Sequence, residues 1–199
     1  MQFIEQIYNR SYEITRSNTK GLEQKKSITQ VLFTSYAYFI VYSFIGWIWE
    51  TVITTIDTGT LQNRGFLDVP ILPIYGFAIL FIVTLFYKRG FGIPKIFLGS
   101  ALITTTQEFI TSWGLEKIFH QSWWDYSQMR FQIQGRVCLI GAIVFGVASV
   151  LIVLLIHPVV ESGVMKFFTQ TKSRKLCIMS LCLILIDTIL AVIRAYVTV

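Results

Sequence analysis

"VCLIGAIVFGVASVLIVLLIH", residues 137–157, runs 21 positions without one Asp, Glu, Lys or Arg. At ~1.5 Å per residue a helix of that length covers about 30 Å, the thickness of a bilayer's hydrocarbon core. Four further apolar blocks lie at about 31–54, 70–87, 93–113 and 176–193. Hydrophobic residues make up 54% of the 199 and charged residues only 14%, against roughly 25% charged in a soluble domain. Mean hydropathy is +0.61. These observations predict an all-α, polytopic transmembrane helix bundle of about five spans, and no strand pattern competes with it. The second block, "PILPIYGFAILFIVTLFY", is short and opens with two prolines. Its start is expected to be irregular backbone inside a protein-lined pocket, because lipid does not tolerate exposed irregular backbone.

The net charge of +6 has a topological reading. Twelve of the 17 Lys and Arg fall in the N-terminal tail, the connection between spans two and three (Lys88, Arg89, Lys95) and the connection between spans four and five (Lys166, Lys172, Arg174, Lys175). Positive charge accumulates beside cytoplasmic span ends, which predicts N-in/C-out. The basic excess then needs no nucleic-acid partner, and contact with membrane lipids is expected in its place. Residues 1–30 read as a cytoplasmic amphipathic and basic tail and 31–199 as a single transmembrane domain. The tail has no apolar core followed by a small-residue cleavage site, so it does not read as a signal peptide. "MQFIEQIYNRSYEITR" and, after span four, "VVESGVMKFF" have the look of helices lying on the membrane surface. The three cysteines show neither a disulfide framework nor zinc spacing, two histidines are too few for a histidine metal site, and no P-loop is present. No cofactor is expected.

Ionisable residues inside spans are functional candidates because charge is expensive in lipid. Glu50, in "FIGWIWETVI", and Glu108, in "ITTTQEFITSW", each lie three to five residues inside the outer end of a span. Ser100, Thr104, Glu108 and Ser112 recur every fourth residue and share one helix face, as do Ser43, Gly46 and Glu50. The two carboxylates are therefore expected across a common cavity with Arg64 or Arg136 beside them. A purely structural reading gives each acid a salt bridge to one of these arginines.

The predicted topology puts two loops on the outer side, "NRGFLDVPILPIYGF" and "HQSWWDYSQMRFQIQGR" (120–136). The second is too rich in aromatic and charged groups for a plain connector. Asn63, Arg64, Asp68, Tyr75, Trp123, Trp124, Asp125, Tyr126 and Arg136 all reach that side. Arginine suits bidentate binding of phosphate or carboxylate. Trp123 and Trp124 alone read as an interfacial belt, but the belt does not explain Asp125, Arg130 and Arg136 next to them. The set reads as an outward-facing site for an anionic amphiphile. His157, before Pro158, reads as a helix-end residue bonding the last carbonyls. Asp187 and Arg194 read as a structural pair linked through intermediate polar groups, and Ala142, Gly146 and Ser149 as a packing stripe.

"GWIWE", "NRGFL", "PIYGF", "WWDYS", "GRVCL" and "HP", in that order, resemble the ABC-transporter type IV (CmpB-like) family of small bacterial membrane proteins, over about residues 38–163. The family pattern falls on Gly46, Trp47 and Glu50, on Asn63, Arg64 and Gly65, and on Pro73, Tyr75 and Gly76. It continues through Glu108, the run Trp123 to Tyr126, Gly135, Arg136 and His157. Val69 stands where a glycine is expected, and Gln132 and Gln134 where asparagines are usual. The resemblance implies a multi-pass cell-membrane protein, a permease component that works with an ATP-binding subunit and forms a homo-oligomer. Two other classes fit the residues. One is an intramembrane enzyme acting on a lipid or lipid-linked substrate, with Glu50 or Glu108 as general base. The other is a non-catalytic binding or immunity-type membrane protein.

Overall fold

The computed structural model of the protein describes residues 27–62, 65–168 and 173–197. The expected surface helix at the N-terminus, Asn63 and Arg64 lie outside these residues. The described chain is an all-α bundle of membrane type. Helix α1 spans Ile28–Thr58, α2 Pro73–Phe86, α3 Ile93–Phe119, α4 Leu139–Leu151, α5 His157–Phe168 and α6 Ser173–Val197. Strands β1 (Gln132–Ile133) and β2 (Val137–Cys138) form a small antiparallel ribbon before α4. That ribbon departs from the expectation of no strand. Two-residue strands are too short to show an alternating pattern, so only the turn between them marks the place.

Among the described residues, three segments are long and apolar enough to cross a membrane: Ile28–Thr58, Leu139–Phe167 and Arg174–Val197. Helix α2 is apolar but only 14 residues long. Helix α3 has 27 residues, yet Ser100, Thr104, Thr105, Thr106, Gln107 and Glu108 occupy its middle. Large apolar side chains are exposed along the outer faces, among them Phe81, Leu102, Ile140, Leu183 and Ile189. In a bilayer these faces meet lipid chains instead of water.

The first connection behaves as its prolines demand. Residues 65–72 are irregular, and Pro73 starts α2 where its missing N–H costs nothing. The exposed amides of this stretch find partners in other elements. Asp68 and Val69 donate to Asp187 Oδ2 of α6 at 3.0 and 3.1 Å, and Leu72 donates to the Ser43 carbonyl of α1 at 2.9 Å. Leu67 and Ile71 are buried against Ala191. Arg194 pairs with Asp68 at 2.7 Å, so Asp187 and Arg194 are linked through the loop they both hold.

The fourth block differs from expectation at its end. Span four does not stop at His157. A π-helical turn, Ile152–Ile156, joins α4 to α5 in one continuous helix that runs on through Pro158. His157 donates its amide to the Ile152 carbonyl, five residues back. The wider turn relieves the clash that a mid-helix proline makes with the carbonyl four residues before it. It also buries two consecutive residues, Val153 and Leu154, which join Tyr42, Ile79, Ile82, Val83, Phe86 and Ile96 in the main core. His157 is 3% exposed and its Nδ1 lies 2.6 Å from the Tyr42 hydroxyl. It is a buried core partner and not a helix-end cap. Gly146 of the small-residue stripe faces Phe97 and Ala101 of α3, where any Cβ would crowd the Phe97 ring at 2.7 Å.

Candidate functional site

The α3 stripe points inward as its four-residue spacing requires: Ser100, Thr104, Glu108 and Ser112 are all buried. Glu108 is 8% exposed and accepts a 3.0 Å hydrogen bond from the Tyr126 hydroxyl. On α1, Gly46 leaves the space that the Tyr75 ring occupies, and that ring carries its hydroxyl to Glu50, one turn further along the same face. Glu50 lies near enough for its charge to act on Glu108, so α1 and α3 bring two acids to one place. Tyr75 and Tyr126 flank them, and Phe145 closes one side edge-on to Tyr75.

Arg64 lies outside the described residues, and among those described no arginine pairs with either acid. Arg136 is committed elsewhere, paired with Glu116 and bonded through Nη1 to Ser112 Oγ at 3.2 Å. Glu116 lies two turns beyond Glu108 on the α3 face, and the long arginine side chain reaches it first. Among the described residues neither Glu50 nor Glu108 forms an ion pair. The partners are tyrosine hydroxyls, which sequence reading grouped with the acids without pairing them. Tyr126 sits in the connecting loop. Burial first, and then the charge and hydrogen bond of Glu108, hold its phenol above the usual range. It therefore remains a neutral donor to the carboxylate at any physiological pH. Buried hydroxyls of Ser43, Thr51 and Ser100 on the same two helices have no hydrogen-bond partner among the described residues.

The rest of the aromatic loop is shaped by its own bonds. Asp125 accepts from the Ser127 amide at 2.8 Å and the Ser127 hydroxyl at 2.9 Å. Its Oδ1 lies 2.7 Å from where a Cβ at Gly135 would be, and Gly135 has φ 66. Trp124 donates its indole N–H to the Arg136 carbonyl at 2.9 Å. Trp123 packs edge-on against Phe66 and Phe119, tying the first loop to the end of α3. The ribbon turn is closed by Arg136 donating to the Ile133 carbonyl at 3.0 Å, with Gln134 and Gly135 both left-handed. Such turns favour asparagine followed by glycine. The glutamines present still bond locally: Gln132 Oε1 accepts from the Gly135 amide at 2.6 Å. Tyr126 and Arg136 thus reach the α3 face, while Trp123, Trp124 and Asp125 build the loop that carries them.

The family sequence model described as "Putative ABC-transporter type IV" matches residues 37–192. The match runs from α1 into the last turns of α6 and so extends beyond the stretch of resemblance read from the motifs, which ends at about residue 163. No curated protein and no solved structure matches the chain.

Proposed function

Because the chain belongs to the ABC-transporter type IV family, we propose that it is the membrane-embedded permease component of a transporter, working with an ATP-binding subunit. Its substrate is an amphiphile whose cationic group rests between Glu50 and Glu108. One observation carries this reading: two interacting acids on different helices, held by tyrosines and balanced by no cation among the described residues. Like charges in a low-dielectric site repel, and a bound positive charge removes both that repulsion and the desolvation penalty. The sequence alone suggested an anionic headgroup. That expectation rested on Arg64, which lies outside the described residues, and on Arg136, which pairs with Glu116. The apolar outer faces of the helices give a lipid-soluble substrate lateral access. The same arrangement does not favour an intramembrane hydrolase, since His157 bonds Tyr42, eight residues before Glu50 on α1.

The distribution of basic residues supports an acidic pair that faces the outer leaflet. A cysteine introduced at Ser127 should react with a membrane-impermeant maleimide in intact cells. Reaction only after lysis would turn the site inward. Substrate class is tested with purified protein in nanodiscs, using dodecylammonium and dodecyl phosphate as matched probes. The ammonium probe should bind, and Glu50→Gln or Glu108→Gln should each weaken it about 10-fold or more, the size of a lost charge-assisted contact. Tight binding of dodecyl phosphate, unchanged in both glutamine variants, would overturn the cationic reading and restore the anionic one.

A further inference from the structure

A second polar cluster lies toward the other end of the bundle. Tyr38 is twelve residues before Glu50 on α1, about 18 Å along the helix axis. There, α1, α2 and α5 surround a cavity of about 230 Å³. Thr34, Ser35, Tyr38, Tyr87, His157 and Glu161 are among its polar lining residues. Val31, Leu80 and Val83 form an apolar wall, and Val31 is 47% exposed, so the cavity opens sideways between α1 and α2. At its edge Lys88 donates to both oxygens of Glu161, at 3.0 and 2.8 Å, and Tyr87 donates to Oε2 at 2.9 Å. Lys88 also lies 4.9 Å above the Tyr87 ring. Its backbone is left-handed, φ 59, which is uncommon for a lysine and folds the side chain back over the helix end.

We infer that this cavity is a binding site for a zwitterionic phosphoethanolamine headgroup, distinct from the Glu50–Glu108 pair. The reasons are charge, shape and donors. Lys88 and Glu161 carry one positive and one negative charge, 31% and 16% exposed. A zwitterion exchanges partners with them, ammonium to Glu161 and phosphate to Lys88, and leaves no charge unpaired. An anionic headgroup would take Lys88 and strand Glu161 in a largely buried position, which is unfavourable. A primary ammonium can donate to Glu161 and to the Thr34 and Ser35 hydroxyls while resting against the Tyr38 and Tyr87 rings. A quaternary ammonium cannot donate at all. The volume is below the ~300–1,000 Å³ of pockets for drug-sized ligands, so it suits a headgroup whose chains leave along the apolar wall.

The test uses the full chain in nanodiscs of equal parts phosphatidylethanolamine, phosphatidylglycerol and phosphatidylcholine, with retained lipids read by native mass spectrometry. The wild-type protein should retain phosphatidylethanolamine about 10-fold over the other two. Glu161→Gln should reverse the preference toward phosphatidylglycerol, because Lys88 then faces the phosphate with no competing carboxylate. Lys88→Met should lose phosphatidylethanolamine without that gain. A misfolded protein does not acquire a new lipid preference, so the reversal separates binding from folding. Equal retention by the wild type, or an unchanged ratio in Glu161→Gln, overturns the inference. Free phosphoethanolamine separates the sources: displacement of retained lipid assigns the contact to the headgroup alone. Its failure, with selectivity intact, assigns the site to the bilayer lipid, and both uphold the zwitterion.

Discussion

Gly46→Ala and Gly76→Ala are each expected to destabilise the protein by about 1–3 kcal/mol, lowering the thermal midpoint in detergent by about 2–12 °C. The cause is the closeness of α1 and α2. A Cβ at Gly76 would overlap Ser43 Oγ and sit 2.8 Å from the Phe39 carbonyl oxygen. The second of these is backbone, which cannot swing aside. A Cβ at Gly46 would overlap the Tyr75 ring. Tyr75 would then have to leave Glu50, so Gly46→Ala should also reproduce the binding loss of Glu50→Gln. Gly114, on α3, is the control. Nothing lies within 4 Å of a Cβ placed there, and replacing a helical glycine by alanine in open space favours the helix by up to ~1 kcal/mol. Gly114→Ala should therefore leave the midpoint unchanged or raise it. Equal shifts in all three variants would mean that close helix approach contributes nothing at Gly46 and Gly76.

His157→Ala is expected to cost about 3 kcal/mol or more, from an unsatisfied Tyr42 hydroxyl at ~1–3 kcal/mol plus a cavity term of order 24 cal/mol per Å³. Tyr42 is fully buried and its hydroxyl meets His157 Nδ1, so removing the imidazole takes away that partner. The imidazole also fills the space between the rings of Tyr38 and Tyr87, with centroids 5.0 and 4.4 Å away. A double-mutant cycle separates the two contributions. Tyr42→Phe removes the polar group that His157→Ala strands, so the double variant should be more stable than the two single effects predict, by about 0.5–3 kcal/mol. Equilibrium unfolding in mixed micelles measures this. If His157→Ala costs as much with Tyr42→Phe as without it, the hydrogen bond is irrelevant and packing carries the whole effect.

Several features were readable because they depend only on neighbours along the chain. A run such as 139–157 must be helical in lipid, since every backbone amide needs a partner within the segment. Pro70 and Pro73 explain why α2 begins late, at residue 73. The four-residue spacing from Ser100 to Ser112 placed those groups on one face, and that face is the buried one. The motifs from "GWIWE" to "HP" identified the family, although they understated how far along the chain it extends.

Pairings between distant residues were decided by packing. Charge and depth suggested that Glu50 and Glu108 would meet Arg64 or Arg136. In the fold Glu116 takes Arg136, while Tyr75 and Tyr126 reach the two acids. Choosing among these partners requires the positions of separate helices, which no local pattern contains. The same holds for the π turn. Residues 152–156 are ordinary apolar side chains, and only the combination of Pro158 with a buried seat for His157 against Tyr42 makes the wider turn favourable. The sequence thus determined that the chain is a membrane-embedded helix bundle and which helix faces are polar, because hydropathy and helical period are properties of a single segment. Which partner each described charge finds was decided by the tertiary structure, because pairing depends on which side chains the packed helices bring within a few ångströms.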